Sequence, residues 1–454
     1  MKIKIYFVLF LVYSMQLKGQ TKFTKNQILE DLSYLKTALL EAQYDIYESV
    51  SKTAFEKGFT KIKNQIIKDS LSILEATNTL QQLPVLVNNG HTCINFPGAE
   101  YMKYASSDKA TIFPLELAFE GDKALIRKNW SSNTKINIGD EIFSINGVSI
   151  KEILNSIYRQ VSGERKMMKN VKIEMYSFPR YYWQIFGQVN HFEIQIKCKG
   201  ATKKHSLNAI SLMTEYEDRR SELLNAKMAL KFYNTIAYLN PGSFDGDLEN
   251  FKLFIKNSFE EIQNKASKSL IIDLRNNSGG DNVFSDYLVS YIANQPFTWN
   301  SSFELRTSRL LKESGKKSNK SKYWQSIFNH KNGERYSYEF DKIQPQSINN
   351  RFKGKVYVLV NRQSHSQATV TAAQIQDYNF GTIVGEETAE FPSLIASVFY
   401  FKLPNTGITV QMSKGKMIRV NGSTKHEGVI PDIFIKDYLL DEEDEILKGI
   451  LKRI

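Results

Sequence analysis

Cysteine is nearly absent from this sequence: Cys93 and Cys198 are the two in 454 residues. Two thiols exclude a disulfide framework and leave open one bridge, if geometry allows it, or two free groups. Histidine is also scarce. The six are scattered, and no HExxH or CxxC spacing occurs, so no metal site and no cofactor are expected. Neither GxGxxG nor GxxxxGK[ST] is present, which removes the phosphate-binding loops those motifs describe. Long apolar runs are missing beyond the first residues. There, Lys2 and Lys4 precede a run from Ile5 to about Val12, shorter than the roughly 20 residues of a membrane-spanning helix. Residues 1–20 read as a cleavable signal peptide, and no cysteine follows to carry a lipid. The expectation is an exported chain, periplasmic or secreted, with no stable membrane insertion after cleavage.

The net charge of +12 is not concentrated in a nucleic-acid module. Its one basic run, Lys312 to Lys322, reads as a solvated loop, so no nucleic-acid partner is expected.

With 42% hydrophobic residues the chain can bury more than one core, and no internal repeat is evident. Three units are expected. Residues 21–105 form a helical N-terminal domain, in which Ile28, Leu29, Leu32, Leu35, Leu39 and Leu40 recur at helical spacing. Residues 106–215 alternate short β-type runs with turns. Residues 225–454 read as α/β, with buried strands SLIIDL and KVYVLVN, and with a polar surface insertion at about 294–353.

Two strand ends in the α/β region carry chemistry. SLIIDL runs into RNNSGGDN, where Gly279 and Gly280 let a substrate carbonyl approach main-chain N–H groups at a helix start, as an oxyanion hole requires. KVYVLVN runs into RQSHSQAT, where Ser366 stands at a helix start. Such a serine either caps the helix or, as a nucleophile, presents its hydroxyl beside helix-terminal amides.

The order LIIDLRNNSGG, VLVNRQSHSQAT, TIVGEET, GVIPD resembles the catalytic domain of the C-terminal processing (tail-specific) serine proteases. The resemblance implies a crotonase-like (ClpP-like) α/β core, a peptide or protein substrate, and Ser366 as nucleophile. Gly279 or Gly280, with the N–H of Gln367, would hold the oxyanion. IGDEIFSINGVSIKEIL, with its Asn146-Gly147 turn, resembles part of a PDZ domain and implies that 106–215 is PDZ-like, able to take substrate C-termini.

The serine-lysine members carry a lysine about 25 residues past the serine, where this chain reads GEETAEFPSL. The tricorn-like branch uses histidine and glutamate instead, which implies His91 as base and Glu427 as its acid. Gly90 stands where that branch has a small hydroxyl residue, a place for which Thr92 is a substitute. Lys414 and Lys416 rank below His91 as bases, and strand alternation argues against His365. The alternative is an inactive relative that binds peptides or other ligands. Oligomeric state is not readable from these residues.

Overall fold

The computed structural model describes residues 22–454 except 199 and 317–320, so the expected signal peptide lies outside the described residues. The α/β region is a six-stranded sheet in the order Met228–Tyr233, Ile236–Pro241, Ser269–Asp273, Lys355–Val360, Thr382–Gly385, Ile433–Phe434. Its first pair is antiparallel and the remaining neighbours run parallel. Helices Leu248–Asn264, Asn282–Ser290 and Gln367–Asp377 bury Phe251, Phe259, Leu288 and Ala372 on one face. Helix Glu445–Leu451 covers the other with Ile446 and Ile450. Burial on both faces is why the central strands read as unbroken apolar runs.

The N-terminal helices do not enclose a core of their own. Thr24 opens helix Lys25–Ala42 with a reciprocal capping box to Gln27. Its buried stripe, Ile28, Leu32, Leu35 and Leu39, packs with Val410, Met412 and Met417 of a second, antiparallel sheet. That sheet joins Ser302–Arg306, Arg335–Ser337, Leu394–Lys402 and Thr409–Ile418. The segment 294–353 is therefore more than the surface insertion expected. It supplies two strands, and Phe303, Leu305, Leu310, Leu311 and Ile327 are buried in the shared core. Its polar composition hid alternating inward positions such as Phe303 and Leu305.

A third, antiparallel sheet contains Leu115–Glu120, Lys123–Asn129, Glu141–Ile145, His191–Cys198 and Ala201–Asn208. Helices Ile150–Tyr158, Lys166–Tyr176 and Phe178–Phe186 accompany it. Asn146 and Gly147, both at positive φ, turn the chain after Glu141–Ile145, and Ser149 caps the following helix. Cys93 is a free thiol whose Sγ donates to Asn95 Oδ1 at 3.3 Å. Among the described residues, no helix is long and apolar enough to cross a membrane.

Candidate active site

The serine turn is built from the parallel sheet. Past Val360, Ser364 Oγ donates to Leu274 O at 2.8 Å, and the His365 N–H donates to Asn277 O at 3.0 Å. The two strand-end turns are thereby tied together. Ser366 precedes helix Gln367–Asp377 with φ +52° and ψ −122°, a region non-glycine residues seldom occupy. Its hydroxyl makes no cap to the helix. Instead Ser366 Oγ lies 3.2 Å from His91 Nε2.

Gly279 reaches this turn because it has no side chain. A Cβ there, at φ +81°, would stand 2.6 Å from Gln367 N and 2.7 Å from Ser366 Cβ. A Cβ on Gly280, at φ +140°, would lie 1.9 Å from Phe244 O. Of the three amides expected at an oxyanion hole, that of Gly279 donates to Asn277 Oδ1 at 2.8 Å. Gly280 and Gln367 remain.

His91 comes from the second sheet. Cys93–Ile94 pairs with the Thr409–Ile418 strand, Gln411 Nε2 donates to His91 O, and Ser413 Oγ donates to Asn89 Oδ1. Thr92 anchors this loop by accepting the Ser413 N–H on its Oγ1 at 3.2 Å. Gly90 is explained by crowding from the third sheet's region: its Cβ would stand 2.9 Å from Glu164 Oε2. Glu164 Oε1 accepts the Gly90 N–H at 2.7 Å, and Lys172 Nζ donates to Gly90 O at 2.7 Å.

The carboxylate beside His91 is Glu390, not Glu427. Glu390 Oε1 lies 3.2 Å from His91 Nδ1, and its Oε2 accepts the Ser366 N–H. Glu427 is half-exposed and sits 3.6 Å from Lys425 Nζ. What its string does is structural: Gly428 N–H donates to Glu387 Oε1, and Val429 N–H to Thr388 Oγ1, bracing the loop that carries Glu390. Arg165 braces the same loop by donating to Thr388 O and Ala389 O and pairing with Glu387. Glu390 lies within GEETAEFPSL, the string marked above by its lack of lysine.

His365 also reaches Glu390, with Nδ1 2.9 Å from Oε2, and its ring stacks on His91 at 5.3 Å between centroids. The alternation that argued against it assumes an extended segment, and the left-handed Ser366 breaks that pattern.

Neither lysine is placed as a base. Lys414 is buried, and its ammonium is engaged by Ser397 O, Ser397 Oγ and Val398 O. Lys416 pairs with Glu48.

Burial pulls the His91 imidazole below its ordinary range, against the opposing charge of Glu390. Burial pushes Glu390 up, but the neighbouring histidines and the Ser366 N–H outweigh it and hold the carboxyl below the usual carboxylate range. At neutral pH a neutral imidazole therefore faces both a hydroxyl and an ionised carboxylate, the ground state of a general base.

Residues 235–435 match the model of peptidase family S41. A curated relative, the tail-specific protease of Haemophilus influenzae, is 25% identical over 266 residues, 56% of this chain; the match spans about a third of that protein's length (33%). Among solved structures, mature CPAF complexed with lactacystin has a TM-score of 0.65 at 15% identity, covering 94% of this chain and 97% of that one. A second structure of mature CPAF gives 0.62 at 16%, covering 90% and 92%. These likenesses show a shared fold across nearly the whole chain.

Proposed function

From the peptidase family S41 domain at residues 235–435, we propose that the chain is a serine peptidase acting through Ser366, His91 and Glu390. The observation that carries this is the convergence, from three separate segments, of Ser366 Oγ on His91 Nε2 and of Glu390 Oε1 on His91 Nδ1, each at 3.2 Å. His91 takes the serine proton as Oγ attacks the scissile carbonyl, then delivers it to the leaving amine. Glu390 holds the Nδ1–H tautomer and stabilises the imidazolium. The N–H groups of Gly280 and Gln367 receive the oxyanion, and water releases the acyl group by the reverse proton path.

The segment 106–215 is proposed as the PDZ-like unit that brings a peptide to this site. A cleft of about 670 Å³ beside helix Ile150–Tyr158, lined by Leu154, Tyr158 and Arg165, supports that reading. It runs to the two residues, Glu164 and Arg165, that hold the His91 and Glu390 loops. Export to a periplasm or the medium is proposed from residues 1–20.

The test is labelling with a fluorophosphonate probe, with the adduct mapped by mass spectrometry, alongside cleavage of an unstructured protein. Wild type is expected to carry one adduct on Ser366 and to cleave, while Ser366→Ala does neither, a loss of roughly ten-thousandfold or more. An adduct elsewhere, or undiminished cleavage by Ser366→Ala, overturns the reading. The acid limb of the rate is expected below about pH 6.5, because burial lowers the pKa of His91.

A further inference from the structure

The two histidines and the carboxylate pose a problem that the peptidase reading leaves unanswered. His91 Nδ1, His365 Nδ1 and Glu390 Oε1 are all buried, and none has a hydrogen-bond partner of acceptable alignment. They are close but off-axis: His91 Nδ1 is 3.2 Å from Glu390 Oε1, and His365 Nδ1 is 2.9 Å from Oε2. Three buried polar groups converging without aligned hydrogen bonds are costly unless something else satisfies them. One ligand atom from each residue lies within 4.8 Å of the others.

The two nitrogen-to-carboxylate separations, 3.2 and 2.9 Å, are close to the edge of a metal's coordination tetrahedron. Ligands about 2.0–2.1 Å from a tetrahedral zinc stand roughly 3.3 Å apart along each edge, and two imidazoles with one carboxylate are a common zinc donor set. His365, with 18% of its side chain exposed, is the most open of the three and marks the side of approach; Glu390 is 1% exposed.

We propose that His91, His365 and Glu390 bind a divalent transition cation of the zinc type, and that this cation reversibly switches the enzyme off. The chemistry of the switch follows from which nitrogen is used. A metal on His91 Nδ1 moves that ring's proton to Nε2, so Nε2 becomes a donor toward Ser366 Oγ and cannot accept its proton. The same cation occupies the carboxylate needed to steady an imidazolium. No net proton is gained or lost by His91, because only its tautomer changes. Metal-bound and catalytic states are thus mutually exclusive. The spacing motifs of zinc sites do not reveal the cluster, since His91 lies 274 positions before His365 in the chain.

The switching half of the inference rests on the peptidase reading, whereas the binding half does not, and the experiment separates them. Zn²⁺ binding is measured by equilibrium dialysis on wild type, Ser366→Ala, His365→Ala and His365→Phe, the last keeping a ring in case the alanine variant does not fold. Fluorophosphonate labelling is followed in parallel, with and without Zn²⁺ and then EDTA. Wild type and Ser366→Ala are expected to bind one equivalent with affinities within about twofold. The His365 variants are expected to bind at least tenfold more weakly. Zn²⁺ should slow labelling of wild type, EDTA should restore it, and each His365 variant should need at least tenfold more Zn²⁺ for the same fractional loss. Absence of stoichiometric binding, or unchanged affinity in both His365 variants, overturns the site. Stoichiometric binding to a wild type that labels equally with and without Zn²⁺ overturns the switch. Binding that persists in a protein that never labels leaves the metal site standing and the peptidase reading refuted.

Discussion

The serine and its two partners are held by different parts of the molecule in different ways. Ser366 is set by main-chain constraints within the parallel sheet: a left-handed φ, the Ser364 and His365 ties to the neighbouring turn, and the close approach of Gly279. His91 and Glu390 lie on loops that lead into strands of the second sheet, and Glu164, Arg165 and Lys172, from a third part of the chain, brace those loops. The hydroxyl is therefore placed locally, and the proton machinery is placed by tertiary contact. A lost brace should leave a folded protein with an intact but unassisted nucleophile.

The largest break in that contrast is Gly279→Ala. Its Cβ would meet backbone atoms at 2.6 Å, so the serine turn has to move, and the positive φ adds strain of about 1–2 kcal/mol. Turnover is expected to fall roughly a hundredfold or more, because reactive geometry tolerates little displacement. Activity within threefold of wild type would show that the two turns are not rigidly coupled.

A smaller effect comes from the other side. Arg165→Ala removes the donors to Thr388 O and Ala389 O, 2.7 and 2.9 Å away, that steady the Glu390 loop. Turnover is expected to drop about tenfold with the melting temperature shifted by only a few degrees, each lost hydrogen bond being worth about 1–3 kcal/mol. Loss of fold in proportion to loss of rate would instead make Arg165 a stability residue.

The smallest effect on rate, and a distinct one on stability, is expected at Lys414. Burial without a counter-ion pulls its pKa from 10.5 to about 7. Between those values the unfolded chain binds more protons than the folded one, so this group makes stability rise with pH through that window and leaves it flat below. Lys414→Met should remove that rise, which amounts to a few kcal/mol at most in order of magnitude. Turnover should stay close to wild type. A large rate loss with an unchanged pH slope would put Lys414 in the proton path after all.

How much was legible in the sequence follows the same division. The apolar runs SLIIDL and KVYVLVN, the paired glycines and Ser366 each sit in a local string whose meaning survives without neighbours, and the parallel core was readable from them. Helix Lys25–Ala42 was equally plain in its spacing, yet what covers it was not, because its partner strands lie nearly 400 residues later. The polar segment 294–353 concealed core strands for a related reason: half of each strand faces water. Glu390 is hidden because GEETAEFPSL is conspicuous for the lysine it lacks and holds three acidic residues of similar aspect, whereas the string after Glu427 is ordered as a brace. One signal pointed to Glu390: it stands 24 residues after Ser366, where the serine-lysine pattern puts its base. His365 is not the ring on Ser366 Oγ, but strand alternation gives no sign that it reaches Glu390, because Ser366 at positive φ interrupts the extended segment.

The central claim is that Glu390 completes the site, and the most direct measurement compares fluorophosphonate labelling rates of Glu390→Ala and Glu427→Ala against wild type at neutral pH. Glu390→Ala is expected to label roughly a hundredfold or more slowly. Glu427→Ala should label within about threefold of wild type. Equal rates in Glu390→Ala and wild type, or a collapse confined to Glu427→Ala, would contradict the account.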